Sequence, residues 1–152
     1  MTSSRCWLVV LALVIAAVTP ALGQESSGGA GRIKVASGSA FIVRESKLIP
    51  ARAGQVVFEA DGLRTGAEGR IGVTLKDDTR VSLGPNSEVH LDRFVYAPSD
   101  GRLALVLKIV RGVAAYVSGQ IAKLSPDSIR LETPAAIVGV RGTSLAIRVQ
   151  PQ

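Results

Sequence analysis

The sequence predicts an all-β domain, built either as a short β-solenoid or as a two-sheet sandwich of short strands with tight turns. The first observation behind this is alternation. Ile71, Val73 and Leu75, then Val81 and Leu83, then Val89 and Leu91 occupy every second position, with small or polar residues between them. That period puts one face of a segment in a core and the other in water. The second is punctuation: Asp77-Asp78 and Gly84-Pro85-Asn86 separate the runs with turn-forming residues. The third is spacing. Core positions return after about 8–10 residues, as in all-β folds, and no convincing amphipathic helix interrupts them.

The amino terminus predicts export. Arg5 is the only charge before the apolar stretch Trp7–Val18, and Pro20 and Ala21-Leu22-Gly23 follow it. A basic start, about 7–15 apolar residues and a small-residue site form the layout of a secretory signal. Cleavage is expected after Gly23, making residues 1–23 the signal peptide. A spanning helix would need about 20 apolar residues, and Pro20 argues against one. Cys6 precedes the apolar stretch, unlike a lipobox cysteine, and is expected to leave with the signal. It is the only cysteine, so the mature chain is expected to have neither disulfide nor thiolate. The expected compartment is the periplasm or cell envelope.

Residues 24–31, rich in Ser and Gly, read as a flexible lead, and 32–150 as the domain. Ile33–Val35 and Ala40–Val43 form a first hairpin around Ser37-Gly38. Ala51–Gln55 is a connection and Val56–Phe58 a strand. Asp61-Gly62 and Thr65-Gly66 are turns around Leu63. After the three-strand run, Phe94–Tyr96 extends the last strand and Ala97–Gly101 is a loop. Leu103, Leu105, Leu107 and Ile109 alternate again. Arg111-Gly112 is expected to turn the chain into a separate strand, Val113–Val117. Ser125-Pro126-Asp127 breaks the pattern. Ile129–Thr133 ends at Pro134, which lacks a ladder donor, and Ala136–Val140 and Ser144–Val149 close the domain around Arg141-Gly142-Thr143.

The net charge is +6, but Arg and Lys are spread singly, many on the outward phase of strands. Such a surface is solvated and attracts anionic surfaces weakly. No basic cluster with interleaved aromatics appears, so nucleic acid is not an expected partner. The single histidine, His90, lies between inward Val89 and Leu91 and is expected to face solvent with Glu88 and Asp92. No second histidine or cysteine of the mature chain could join it on a metal. Asp77 and Asp78 fit turn chemistry better than calcium, because no Asp-x-Asp-x-Asp-Gly loop exists. No serine has a histidine partner in pattern. The reading therefore assigns no catalytic residue, no metal and no cofactor.

Arg64-Thr65-Gly66 and Arg141-Gly142-Thr143 are the most distinctive polar spots. Structurally, Gly66 and Gly142 permit unusual backbone angles and the threonines cap turns. Functionally, Arg64, Arg141 and Thr143 are the candidate partner contacts.

Three stretches in order carry a family likeness. They are Ala53-Gly54 with Asp61–Gly66, then Asp78–Val89, then Arg111-Gly112 with Thr133–Thr143. Together they resemble the FecR domain, named after the periplasmic sensor part of the ferric citrate regulator, over about residues 50–150. The resemblance implies an all-β envelope domain that transmits or receives a protein contact. In the full regulator, a cytoplasmic anti-sigma segment and a membrane helix precede the domain. Here only Met1 to Cys6 precede the apolar stretch. The chain is therefore similar to stand-alone exported members, and neither sigma-factor control nor iron uptake is carried over. The expected function is a non-enzymatic protein-interaction or signalling module with an envelope protein as partner. The alternative is a binder of envelope polymer, such as cell-wall polysaccharide, or of another anionic surface.

Overall fold

The structure, a computed structural model, describes residues 28–142 and 144–150. The expected signal peptide, residues 24–27 of the lead and Thr143 lie outside the described residues.

The chain is all-β, as its alternation predicts. Its strands are β1 (Gly31–Ser37), β2 (Ala40–Arg44), β3 (Lys47–Pro50), β4 (Val56–Val57), β5 (Gly62–Thr65), β6 (Arg70–Leu75), β7 (Arg80–Leu83), β8 (Glu88–Ala97), β9 (Arg102–Val117), β10 (Ile129–Glu132), β11 (Ile137–Gly139) and β12 (Ser144–Val149). Among the described residues one short α-helix, α1 (Gln120–Leu124), lies between β9 and β10. Ala30 is buried and its N–H donates to Val57 O at 2.7 Å, so the last residues of the expected lead are held in the sheet.

The strands form one sheet in the order β3-β2-β5-β8-β9-β7-β6-β1-β4, with β10, β11 and β12 attached beside β9. The sheet curls into a half-barrel. Its first half is β12, the end of β9, β7, β6, β1 and β4; its second half is β3, β2, β5, β8, the start of β9, β10 and β11. Pairing follows hairpins and long-range returns rather than stacked rungs. Of the two architectures the sequence allowed, the two-sheet one is nearer, with β9 belonging to both sheets.

The alternating residues meet between the halves. Ile71, Val73, Leu75, Val81 and Leu83 of the first half and Leu63, Val89, Leu91, Leu105 and Leu107 of the second are all buried in one core. Burying each such side chain contributes about 1.5–3 kcal/mol.

Three expectations are corrected. Arg111-Gly112 does not end a strand, because β9 runs unbroken through it for 16 residues. Gly112 instead takes φ +83°, and a Cβ there would sit 2.5 Å from Ser87 Cα. The glycine thus bends β9 from one sheet into the other. Second, Ile33–Val35 and Ala40–Val43 do not form a hairpin. β1 pairs with β4 and β6, and β2 with β3 and β5, because Lys47–Pro50, unassigned in the sequence, is itself a strand and takes the place beside β2. Glu45 and Ser46 both have positive φ, 48° and 65°, so they make the primed type of two-residue hairpin turn without its usual Asn-Gly.

Third, α1 exists. β10 pairs parallel to β9, Ile129 opposite Leu105, and a parallel pair requires a crossover. The segment carrying α1 supplies it. Ile121 is fully buried beneath. Asp77, also fully buried, anchors the helix start: its Oδ2 accepts from Ile121 N at 3.3 Å and its carbonyl from Gln120 N at 2.6 Å. Thr79 Oγ1 donates to the same Oδ2 at 2.7 Å and accepts from Gly119 N at 3.2 Å. Asp77 is thus a turn residue, as its sequence context suggests, and also a cap for a helix remote in sequence. Among the described residues no helix is long and apolar enough to cross a membrane.

Candidate functional site

Two features of the surface bear on binding: a polar cluster on the outer face of the second half, and an open seam beside β12.

The polar cluster centres on Glu88. Register sets it, with Arg64 opposite Glu88 on β5–β8 and Glu88 opposite Arg111 on β8–β9. Arg64 donates from Nη2 to Oε1 at 2.9 Å and from Nε to Oε2 at 3.1 Å. His90 Nε2 lies 2.9 Å from Oε1, and Arg111 Nε lies 3.5 Å from Oε2. The Glu88 side chain is only 10% exposed. Burial alone would raise its pKa. Hydrogen bonds from Arg64 and His90, with their charges, outweigh burial and hold the carboxyl below its ordinary value of 4.5. Arg64 is correspondingly raised, mainly by its hydrogen bonds to Glu88. A carboxylate held this way by a bidentate guanidinium is a structural tie. His90 faces outward as expected, but it is half-buried and engaged with Glu88.

A second ion pair closes the same half. Asp61, 1% exposed, accepts from Arg44 Nη2 at 2.6 Å and Nε at 2.8 Å, and from Phe58 N at 2.8 Å. The Arg44 guanidinium also lies 4.6 Å over the Phe58 ring.

The seam lies on the other side of β9, where β12 and the β10–β11 hairpin leave the half-barrel open. Thr133, Pro134, Val138, Ile147 and Val149 line a groove of about 350 Å³ there. Leu145, Ile147, Val149 and Val138 pack against the core while remaining half-exposed, and Ile137 is 68% exposed. β12 pairs with β9 on one side, and no described strand pairs with its other side. Four strands end the sheet in this way, and three are guarded. β3 carries Lys47 and Pro50, β4 has two residues and β11 three. β12 has six residues, no proline and a single charge, Arg148. Short length, proline and lysine are the usual protections of a sheet edge, so β12 is the edge most open to another strand.

Of the sequence-predicted contacts, Arg64 and Arg141 lie in different parts of the fold, and Thr143 lies outside the described residues. Arg64 sits in β5 and is tied to Glu88. Arg141 is exposed in the link between β11 and β12, at the end of the seam. Three strands, β8, β9 and β10, lie between β5 and β11, and Arg141 falls beyond the end of β11. The next residue, Gly142, accepts from Ser118 Oγ at 2.6 Å through its carbonyl. Sequence reasoning missed Glu88 as the hub and the seam side chains of β12. The alternation of Leu145, Ile147 and Val149 was visible, but not that their strand would lie at an edge. Among the described residues no group of three or more His, Cys, Asp or Glu could hold a metal.

Comparison with known proteins agrees with the architecture. The model of a family described as FecR protein matches residues 61–152. No curated protein and no solved structure matches the chain. The match runs from the residue before β5 past β12, over more than half of the chain, and this protein belongs to the FecR family.

Proposed function

We propose that this protein is a non-enzymatic signalling module of the cell envelope. Exported and freed of residues 1–23, it binds an extended segment of an envelope protein along β12. The regulatory character of the FecR family supports a signalling role. The observation that carries the mode of binding is the unguarded edge of β12 beside an apolar groove. A strand added to such an edge gains main-chain hydrogen bonds, and its alternate side chains find pockets. Here those side chains would enter between Ile147, Val149 and Val138, with Arg141 meeting the partner at the seam's end.

The test is in-cell crosslinking from a photoreactive residue at Ala146, exposed on β12, and at Leu48, exposed on β3. The reading expects one dominant envelope protein captured from position 146 and none from position 48. Equal capture from both positions, or only abundant bystanders, overturns it.

A further inference from the structure

The outer face of the first half has a charge pattern that the fold and the seam use little: Arg32 donates to Gly54 O at 3.1 Å and Arg148 also lines the seam groove. Its outward residues fall into three rows running across the strands. The middle row is Val35, Gly72, Ser82, Ala115 and Ala146, each opposite the next in register. On one side Arg32, Thr74, Arg80, Val117 and Ser144 form the second row. On the other, Ser37 faces Arg70, and Val113 faces Arg148. Lys34 joins the face at the bulge in β1. Arg32, Lys34, Arg70, Arg80 and Arg148 are all exposed, and none is ion-paired to a described residue. No outward position in these rows is a carboxylate. The nearest in sequence, Glu68 and Asp78, lie in the turns before β6 and β7.

The rows make a shallow trough. Its floor carries no side chain longer than valine, and arginines stand on both flanks. Five strands span about 19 Å along it, and the flanking rows lie about 13 Å apart. At the β1 end the face opens into a cleft of about 510 Å³ lined by Arg32, Lys34, Lys76 and Thr74, with Phe58 and the single carboxylate Asp78 in its wall.

We propose that this trough binds a linear anionic polysaccharide, laid across the strands with its acidic groups between the two arginine rows. Charge complementarity selects a polyanion. The low floor suits a continuous chain of rings that follows the sheet's twist. The trough rows carry no aromatic residue on which nucleobases could stack. Val35 is their one exposed large apolar side chain, too little to insert into a bilayer. The backbone of β6, β7 and β9 along the floor is paired on both sides. Free ladder positions occur only at the trough's two ends, on β1 beyond Ile33 and on β12, so a protein strand cannot lie across the floor by pairing. The trough ends on β12, whose Ser144, Ala146 and Arg148 face it, so it shares that strand with the partner edge proposed above. Arg70 and Arg80 lie on β6 and β7, away from that edge, and test the face by itself.

The test uses the purified protein on immobilised polygalacturonate, a linear carboxylated polysaccharide. Anionic phosphatidylglycerol vesicles and neutral dextran serve as comparisons. Arg70→Thr with Arg80→Thr removes one arginine from each flank while keeping strand-forming residues. Lys108→Thr with Arg130→Thr removes the same charge from the outer face of the second half. Removing one cation from each flank is expected to lower polygalacturonate affinity roughly tenfold or more. The second-half pair should change it less than about twofold, and binding should weaken steeply with salt. Equal losses from both pairs would reduce the effect to net charge and overturn the site. Failure to bind polygalacturonate, or preference for the vesicles, would also overturn it.

Discussion

The two halves of the curled sheet share a core and a central strand, yet they treat charge in opposite ways. The second half gathers every carboxylate it buries into ion pairs, although its exposed Lys47, Arg93, Arg102, Lys108 and Arg130 pair with no described residue. Glu88 holds Arg64, His90 and Arg111, and Asp61 holds Arg44. The first half spreads five cations over its outer face and pairs none of them with a described carboxylate. Charges that satisfy one another hold strands in register. Charges left open to solvent do little for stability and remain available to a ligand. The contrast therefore separates the half that is fastened from the half that is exposed for use, and it predicts where substitutions will destabilise.

The largest effect is expected at Asp61. Asp61→Ala leaves the Arg44 guanidinium and the Phe58 N–H without their acceptor in a nearly closed site. Removing one partner of such a site costs about 3 kcal/mol, to be read as a lower urea midpoint at unchanged slope. A cost below about 1 kcal/mol would show that water replaces the carboxylate, and that this half is less closed than its burial implies.

Next comes Glu88, where the effect depends on pH. Its folded pKa lies below the ordinary 4.5. A carboxyl depressed by folding contributes stability above its unfolded pKa and loses it as pH falls through the folded value. Wild-type protein should therefore lose stability on acidification from about pH 5 downward, in part through this group. Glu88→Gln should lower stability at neutral pH by about 1–2 kcal/mol and flatten the acid limb of a stability–pH curve. An unchanged limb would mean that the Glu88 cluster does not couple folding to protonation.

Much of this architecture was legible in the sequence because alternation reports burial directly. Every inward residue of the three-strand run, Ile71 through Leu91, is in the core. What was hidden depends on partners remote in sequence. Gly112 looked like a turn because glycine marks turns. Only the approach of Ser87, whose Oγ accepts from Val113 N at 2.8 Å, makes it a bend within one strand. The helix α1, five residues long, is too short for a helical period to register, and it is anchored by Asp77 from across the fold. Arg64 was visible as a distinctive residue, but its role followed from the register that set it opposite Glu88. The family match begins at residue 61, although β1 to β4 complete both halves of the sheet.

A smaller effect sharpens the contrast within the fastened half. Arg111 is 43% exposed and its Nε lies 3.5 Å from Glu88, whereas Arg64 makes two shorter bonds to the same carboxylate. Arg64→Ala is expected to cost about 1 kcal/mol and Arg111→Ala under about 0.5 kcal/mol. Equal costs would mean that Glu88 distributes its charge evenly, and that the bidentate geometry adds nothing.

The smallest effect is expected in the open half. Arg80 stands across β6 from Arg32 on the same face, with no carboxylate between them. Arg80→Thr removes a solvated charge, relieves a weak repulsion and leaves a β-branched residue in β7. Its stability should stay within about 0.5 kcal/mol of the wild type, on either side of zero. If Arg80→Thr instead unfolded the protein as readily as Asp61→Ala, the arginine row would be structural, and the division between the two halves would fail. If it is neutral, folding does not account for a row of arginines flanking a floor of small residues, and its use must be sought in what the protein binds.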